Sequence, residues 1–200
     1  MHAEDYEALF YKFPNQTAKQ ENETLESFIL KHISKTSRIL EIGCGSGHWM
    51  KVVTMRNCNV FGIDIDYDRL ILANKSQKGK LVLSDAKHLP FRDASFNVAL
   101  LLWTIQEISD DLVFARVLEE IARIIAYGGN LIIAENRTYN FSGAGEKSFL
   151  GIIHKGVLEN KRLRLFSKNS LDECLETFNF RRMDYETVGD SFFENYQMGT

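Results

Sequence analysis

Proline is scarce in this 200-residue chain, which has two, and cysteine occurs only three times. So few prolines exclude collagen-like and proline-rich architectures. Cys44, Cys58 and Cys174 are odd in number, widely spaced and never part of a Cys-x-x-Cys pair. That pattern argues against a disulfide framework and a structural zinc, and for free thiols in a reducing compartment, with cytoplasm the expected location. No uncharged apolar run approaches the roughly 18 residues of a membrane span. The N-terminal MHAEDYEALF lacks the basic-then-apolar layout of a secretory signal. Neither sign of charge dominates: 24 basic against 27 acidic residues leave a net −3, so there is no strong nucleic-acid signal. The stretch from Lys155 to Arg182 is locally basic and reads as a solvated face. What remains, 44% hydrophobic and 26% charged, is ordinary globular usage. The length fits a single domain over 1–200, with 1–34 as an N-terminal helical cover and 137–166 as an insertion shaping an acceptor site.

Hydrophobic periodicity then orders the chain. Leu25, Phe28, Ile29, His32 and Ile33 draw one stripe and predict a helix over 20–34. Strands are expected at 38–42, 59–64, 80–84, 96–102 and 130–135, with helices at 48–56, 67–76 and 110–126 between them. Gly128 and Gly129 are read as the stop of the last of these helices. Near-continuous apolar strands alternating with helices predict an open, doubly wound α/β sheet, mostly parallel and buried on both faces. Residues 137–166 show weak periodicity and suggest a short helix near 147–156. A helix at 168–178 follows, and two strand-like runs, 180–188 and 192–198, joined by Gly189-Asp190, predict a terminal hairpin.

The informative stretch is Glu41-Ile42-Gly43-Cys44-Gly45-Ser46-Gly47-His48, between the first strand and its helix. Glycines there let the backbone turn sharply and approach a ligand at the carboxyl edge of the sheet. A dinucleotide fingerprint needs G-x-G-x-x-G, and here the third glycine falls one place early; no Gly-Lys-Ser/Thr of a P-loop occurs. Glu41, two residues before the first glycine, would repel a pyrophosphate and suits an ammonium or sulfonium centre. Asp64 closes the second strand, 21 residues after Gly43, where a carboxylate can accept from vicinal ribose hydroxyls. By itself it fits NAD or any adenosine ligand. Asp85 follows the third strand, and with the next amide, that of Ala86, it can read an adenine edge.

The run ILEIGCGSG, then FGIDID, SDAKHLPFRDASFNVALL and LEEIARIIAYGGNLIIAEN, resembles the small class I S-adenosylmethionine-dependent methyltransferases, most of all the type 11 group that includes ubiquinone- and menaquinone-biosynthesis enzymes. The resemblance covers residues 37–135 well and 167–198 in outline. It implies a Rossmann-like, seven-stranded sheet with the last strand antiparallel. It also implies S-adenosylmethionine as cofactor and S-adenosylhomocysteine as product. By position, Glu41, Gly43, Cys44, Gly45 and Gly47 would hold the methionine portion. Asp64 would take the ribose, and Ile65 the adenine face. Asp85 and Ala86 would take the adenine edge, and Leu102 and Trp103 would flank the methyl donor. The family's usual Ser-Phe-Asp reads Ser95-Phe96-Asn97 here, and the segment after the fourth strand reads Trp103-Thr104-Ile105-Gln106-Glu107, so no base carries over.

Methyl transfer from a sulfonium is an in-line displacement on an already activated donor, so positioning supplies much of the rate. No Ser-His-Asp or Cys-His arrangement suggests a covalent intermediate, and no compact His/Asp cluster demands a metal. The acceptor is expected to be a small molecule, met by the aromatic leader (Tyr6, Tyr11), the 103–107 loop and the 136–166 segment. His154, Glu107 and Tyr139 are the candidate catalytic residues, and Gly143-Ala144-Gly145 a candidate lid hinge. The alternatives are an RNA or protein acceptor, or a protein that binds the cofactor without catalysis. A monomer or homodimer is expected.

Overall fold

The computed structural model describes residues 16–75, 80–136, 146–148, 151–155, 162–166, 170–189 and 191–199. Helix α1 spans Gln16–His32, and strand β1 Arg38–Ile42 leads into α2, His48–Thr54. Then follow β2 Asn59–Asp64, α3 Tyr67–Asn74, β3 Leu81–Leu83 and β4 Phe96–Leu102. A 3-10 turn, Ile105–Glu107, precedes α4 Asp111–Ile124 and β5 Ile125–Asn136. Three short strands come next, β6 Glu146–Ser148, β7 Gly151–Lys155 and β8 Arg162–Phe166. The chain closes with α5 Ser170–Thr177, β9 Phe180–Val188 and β10 Ser191–Met198.

Seven strands form one sheet in the order β3-β2-β1-β4-β5-β10-β9. Strands β1 to β5 pair in parallel, and β10 runs antiparallel to both β5 and β9. The expected doubly wound sheet and its terminal hairpin are therefore present, with Gly189 turning the hairpin at φ 57°. Side-chain alternation explains the contiguous apolar strands. Leu40, Ile42, Ala99, Leu101, Leu131 and Ile133 pack on one face against α4 and α5. Ile39, Val98, Leu100, Ile132 and Ala134 pack on the other against α1 and α2. Glu41 shares the second face with Ile39, and Glu135 the first with Ile133, so both acids are carried into the interior. Helix α1 lays Leu25, Phe28 and Ile29 on the second face. It is tied down where Lys31 Nζ and His32 Nε2 meet Asp184 Oδ2 at 2.7 and 2.8 Å.

Two local expectations are overturned. The described residues of the 147–156 stretch are not helical: β7 pairs with β6 and β8 in a separate three-stranded antiparallel sheet. Alternation in Arg162-Leu163-Arg164-Leu165 is the strand signal there, and that strand supplies β7 with a partner. Gly128 and Gly129 do not stop α4 either. The helix ends at Ile124, Ile125 is already extended at φ −81° and ψ 131°, and Gly128 (φ 72°) lies within β5, in the irregular stretch between the Ile125 and Asn130 pairings with β4.

An ion pair between buried Glu120 and half-buried Arg123 fixes the connection that returns from β3 to β4. Leu89 N–H donates to Glu120 Oε2 at 2.8 Å, and Arg123 donates to Glu120 and to the carbonyls of Leu89 and Phe91. Hydrogen bonding from Arg123 holds the Glu120 carboxyl at about 2, below the ordinary 4.5. A depressed folded-state value adds stability above the unfolded value and loses it as pH falls through the folded one. Glu120→Gln is therefore expected to cost about 1.5–3 kcal/mol at pH 7. Urea unfolding should show that difference narrowing as pH falls from 4.5 toward 2.

Candidate functional site

Parallel pairing sends the chain out of β1, β2, β3 and β4 at one edge of the sheet, and four loops meet there. After β1, Gly43, Gly45 and Gly47 all take positive φ, at 74°, 53° and 81°. The loop is pinned to the end of β2. Gly43 N–H and Cys44 N–H both donate to Ile63 O at 2.9 Å, and Gly45 N–H donates to Asp64 Oδ2 at 2.7 Å. Asp64 Oδ1 accepts from Asp66 N–H at 2.8 Å, which turns the chain into α3. Each Asp64 oxygen keeps a lone pair for a further donor. After β3, Asp85 Oδ1 accepts from Lys87 N–H at 3.0 Å, and its other oxygen lies 3.2 Å from Lys87 Nζ. Burial raises the Asp85 pKa, but hydrogen bonds and charge from Lys87, with help from His88, outweigh it and leave the group lowered.

The loop after β4 is clamped from two sides. Trp103, at φ 52°, donates its N–H to Ala134 O at 2.7 Å. Thr104 Oγ1 lies 3.1 Å from Ile42 O, and its side chain fills the space over Gly43. Glu135, fully buried at the end of β5, accepts from Ile105 N–H at 2.9 Å and Gln106 N–H at 3.3 Å through Oε1. Burial keeps Glu135 well above the usual carboxylate range, against the pull of those amides. The backbone of strand β8 runs beside the same 3-10 turn, so the small sheet borders this edge.

Two adjoining hollows open between the loops. The larger, about 420 Å³, is lined by Asp64, Ile65, Asp85, Ala86, Trp103 and Glu107 among others. A recess of about 60 Å³ beside it is lined by Glu41, Gly43, Cys44, Gly45, Leu102 and Trp103. Gly43, Arg69, Trp103 and Glu107 border both. Of the residues singled out from sequence for a cofactor, only Gly47 lines neither; it is buried and caps α2. Among the candidate catalytic residues, Glu107 borders both hollows. Tyr139 and the Gly143–Gly145 hinge lie outside the described residues. His154 sits on β7 opposite Leu163 of β8, with only its backbone described.

Sequence reasoning missed Arg69, Lys87, Asp110, Val113 and Val117, all of which line the larger hollow. Arg69 and Val113 carried a usable signal. Each is the third residue after a helix N-cap, Asp66 or Asp110, whose side chain accepts its N–H. A first helical turn at this sheet edge faces the hollow.

The electrostatics are lopsided. Glu41 is buried, and its pKa is raised well above the usual value by burial and then by the Asp64 charge, with the Met50 backbone amide opposing. The same burial, with the charges of Glu41 and Asp64, pushes the Cys44 thiol up, so it stays a thiol and is no nucleophile. Among the described residues, four buried side-chain atoms have no hydrogen-bond partner, and two of them, Glu41 Oε2 and Trp49 Nε1, belong to residues lining the recess. An unmet buried polar group costs about 1–3 kcal/mol, which marks the recess as built for something polar. No group of three or more His, Cys, Asp or Glu side chains is placed to hold a metal, and no helix is long and apolar enough to cross a membrane, among the described residues.

Comparison with known proteins agrees with this geometry. Residues 40–133 match the type 11 methyltransferase domain family. A sterol 4-C-methyltransferase of Caenorhabditis elegans is 26% identical over 190 residues, covering 90% of this chain and 56% of that protein. A probable tRNA methyltransferase 9B of Mus musculus is 32% identical over 98 residues, covering 48% of this chain and 21% of that one. This chain thus spans between a fifth and just over half of the length of these curated relatives. A Pyrococcus horikoshii protein of known crystal structure shares the fold, with a TM-score of 0.78 at 21% identity over 97% of this chain and 98% of that one. With its 3-2-1-4-5 sheet extended by an antiparallel hairpin, the chain shares the fold of solved S-adenosylmethionine-dependent methyltransferases, and its residues 40–133 match a methyltransferase domain family.

Proposed function

We propose that this protein binds S-adenosylmethionine across the loop edge of the sheet and transfers its methyl group to a small-molecule acceptor by in-line displacement. The observation that carries the reading is the convergence of Glu41, Asp64 and Asp85, from three neighbouring strand ends, on two adjoining hollows. The methionine end lies in the recess over Gly43, Cys44 and Gly45, with its ammonium toward Glu41. The ribose hydroxyls donate to Asp64. The adenine edge meets Asp85 and the Ala86 amide, and its face covers Ile65. That isoleucine is 71% exposed in the hollow wall, an apolar surface awaiting cover. Leu102 and Trp103 then stand beside the sulfonium methyl.

The donor needs no activation, so the chain's task is to align acceptor, methyl carbon and sulfur; orientation of this kind is worth about 7–11 kcal/mol. Glu107, at the border of the two hollows, is the group placed to take a proton from the acceptor. His154 is a second candidate by its place on β7, whose partner strand β8 runs beside the 3-10 turn that bears Glu107. A small acceptor is favoured over RNA because the sterol-methylating relative aligns over 90% of the chain and the tRNA-related one over 48%. The absence of any basic excess, net −3, points the same way.

Titration calorimetry with S-adenosylhomocysteine tests the cofactor half. The wild type should bind, and Asp64→Ala should bind at least tenfold more weakly while retaining the fold; equal affinity would remove Asp64 from the site. Methyl-labelled cofactor incubated with a lipid-soluble metabolite extract and, separately, with total RNA tests the acceptor half. Label in the organic phase is expected, and label confined to RNA would overturn the small-molecule assignment.

A further inference from the structure

The recess beside the glycine loop contains a complementary pair that the general placement of the cofactor does not use up. Glu41 Oε2 and Trp49 Nε1 are both buried, both lack a hydrogen-bond partner among the described residues, and both residues line this one recess. They are opposite in kind. The glutamate oxygen calls for a cation or a donor, whereas an indole N–H is a donor only and can be met by nothing but an acceptor. A free α-amino acid terminus offers one group of each kind, an ammonium and a carboxylate.

We infer that Trp49 anchors the carboxylate of the cofactor's amino-acid end through its indole N–H, while Glu41 takes the ammonium, so that the two fix the orientation of the methionine arm. The inference rests on the cofactor reading above and adds a residue to it. Trp49 suits the role because it cannot swing. It is 3% exposed, on the first turn of α2, with its ring edge-on to His48 at 5.1 Å and tilted against Trp103 at 6.3 Å. A donor fixed before the ligand arrives loses little freedom on binding. Arg69, whose guanidinium also meets Asp66 Oδ2 at 3.5 Å, lines the same recess. The contact with Trp103 also ties the methionine end to the loop beside the transferring methyl group.

The test pairs two ligands with two proteins. S-adenosylhomocysteine has the carboxylate; its decarboxylated analogue, S-adenosyl-3-thiopropylamine, keeps the ammonium and lacks only that group. Calorimetry should show the wild type preferring S-adenosylhomocysteine. Trp49→Phe, which keeps an aromatic ring in the core, should lose about tenfold or more for S-adenosylhomocysteine, the worth of a hydrogen bond to a charged group. It should bind the amine within about twofold of wild type. Equal losses for both ligands would reduce Trp49 to packing, and no loss for either would overturn the proposal. If the wild type binds neither ligand, the cofactor reading itself fails. Should Trp49→Phe not fold, the wild type still decides. The chain has two tryptophans, so its spectrum holds two indole N–H resonances, assignable with Trp103→Phe. That of Trp49 should move downfield with S-adenosylhomocysteine and stay in place with the amine; the same movement with both ligands overturns the anchor.

Discussion

Replacing Glu41 by glutamine is expected to strengthen the ligand-free fold relative to wild type as pH rises, and at the same time to weaken cofactor binding about 10- to 100-fold. The first effect follows from the raised pKa, caused by burial and the neighbouring Asp64. At a pH where the unfolded chain has already lost this proton, the folded chain still holds it. Unfolding then releases a proton, and stability falls as pH rises from the ordinary 4.5 toward the raised value. Glutamine has no proton to lose, so that fall is absent from the variant. Glu135 and Glu194 are also raised by burial and act in the same direction, but they are present in both proteins, so the difference isolates Glu41. The second effect comes from the ligand. An ammonium beside Glu41 gives its Oε2 the partner that atom lacks, and a hydrogen bond to a charged group is worth about 1.5–3 kcal/mol, which sets the fold-change. Wild-type binding should release a proton and tighten with pH, whereas the variant should bind weakly and without that dependence. Thermal unfolding across pH 5–8, with calorimetry in two buffers of different ionisation enthalpy, measures both. Unchanged affinity together with a pH-independent stability difference would take Glu41 out of the methionine subsite.

The parts of this molecule that were legible in its sequence share a physical reason. Strands β1, β2 and β4 are buried on both faces, so each appears as a short apolar run between polar turns, and β4 falls on 96–102 as expected. The glycine loop is legible because its backbone requires positive φ at alternate positions. The strand-end acids are legible because parallel pairing forces every strand of that half to finish at one edge. The small sheet was not. Residues 147–155 have no helical stripe, and β7 becomes a strand only because β6 and β8 pair with it, which is information lying elsewhere in the chain. The start of β5 was missed for a similar reason. Ile125 and Ala126 continue the apolar pattern of α4, and only the backbone turn at Ile125 separates helix from strand. Glu135 and Trp49 look like core residues in sequence. What marks them is a missing partner, and partners are a property of the folded chain.

The largest loss of stability is expected from Gly43→Ala. Gly43 has φ +74°, a conformation that costs an L residue about 1–2 kcal/mol. A Cβ there would also stand 2.5 Å from both Cγ2 and Oγ1 of Thr104. Overpacking of that kind adds about 1–3 kcal/mol. The threonine cannot retreat freely, because its hydroxyl reaches Ile42 O at 3.1 Å and the turn behind it is held by Glu135. Gly45→Ala is the matched control. Its φ is +53°, but nothing lies within 4 Å of the added carbon, so only the conformational cost applies. Urea unfolding should therefore place Gly43→Ala about 2–5 kcal/mol below wild type, with Gly45→Ala losing less than half as much. The cause is separable by a double-mutant cycle. Thr104→Ala removes both atoms that the new Cβ would strike, so the Gly43→Ala/Thr104→Ala protein should lose at least about 1 kcal/mol less than the sum of the single losses. Additive losses would mean that the strain lies in the glycine backbone alone. Coupling would show that the glycine loop and the loop bearing Trp103 and Glu107 are locked together through Thr104. The surface that grips the cofactor and the surface that meets the acceptor would then move as a single body.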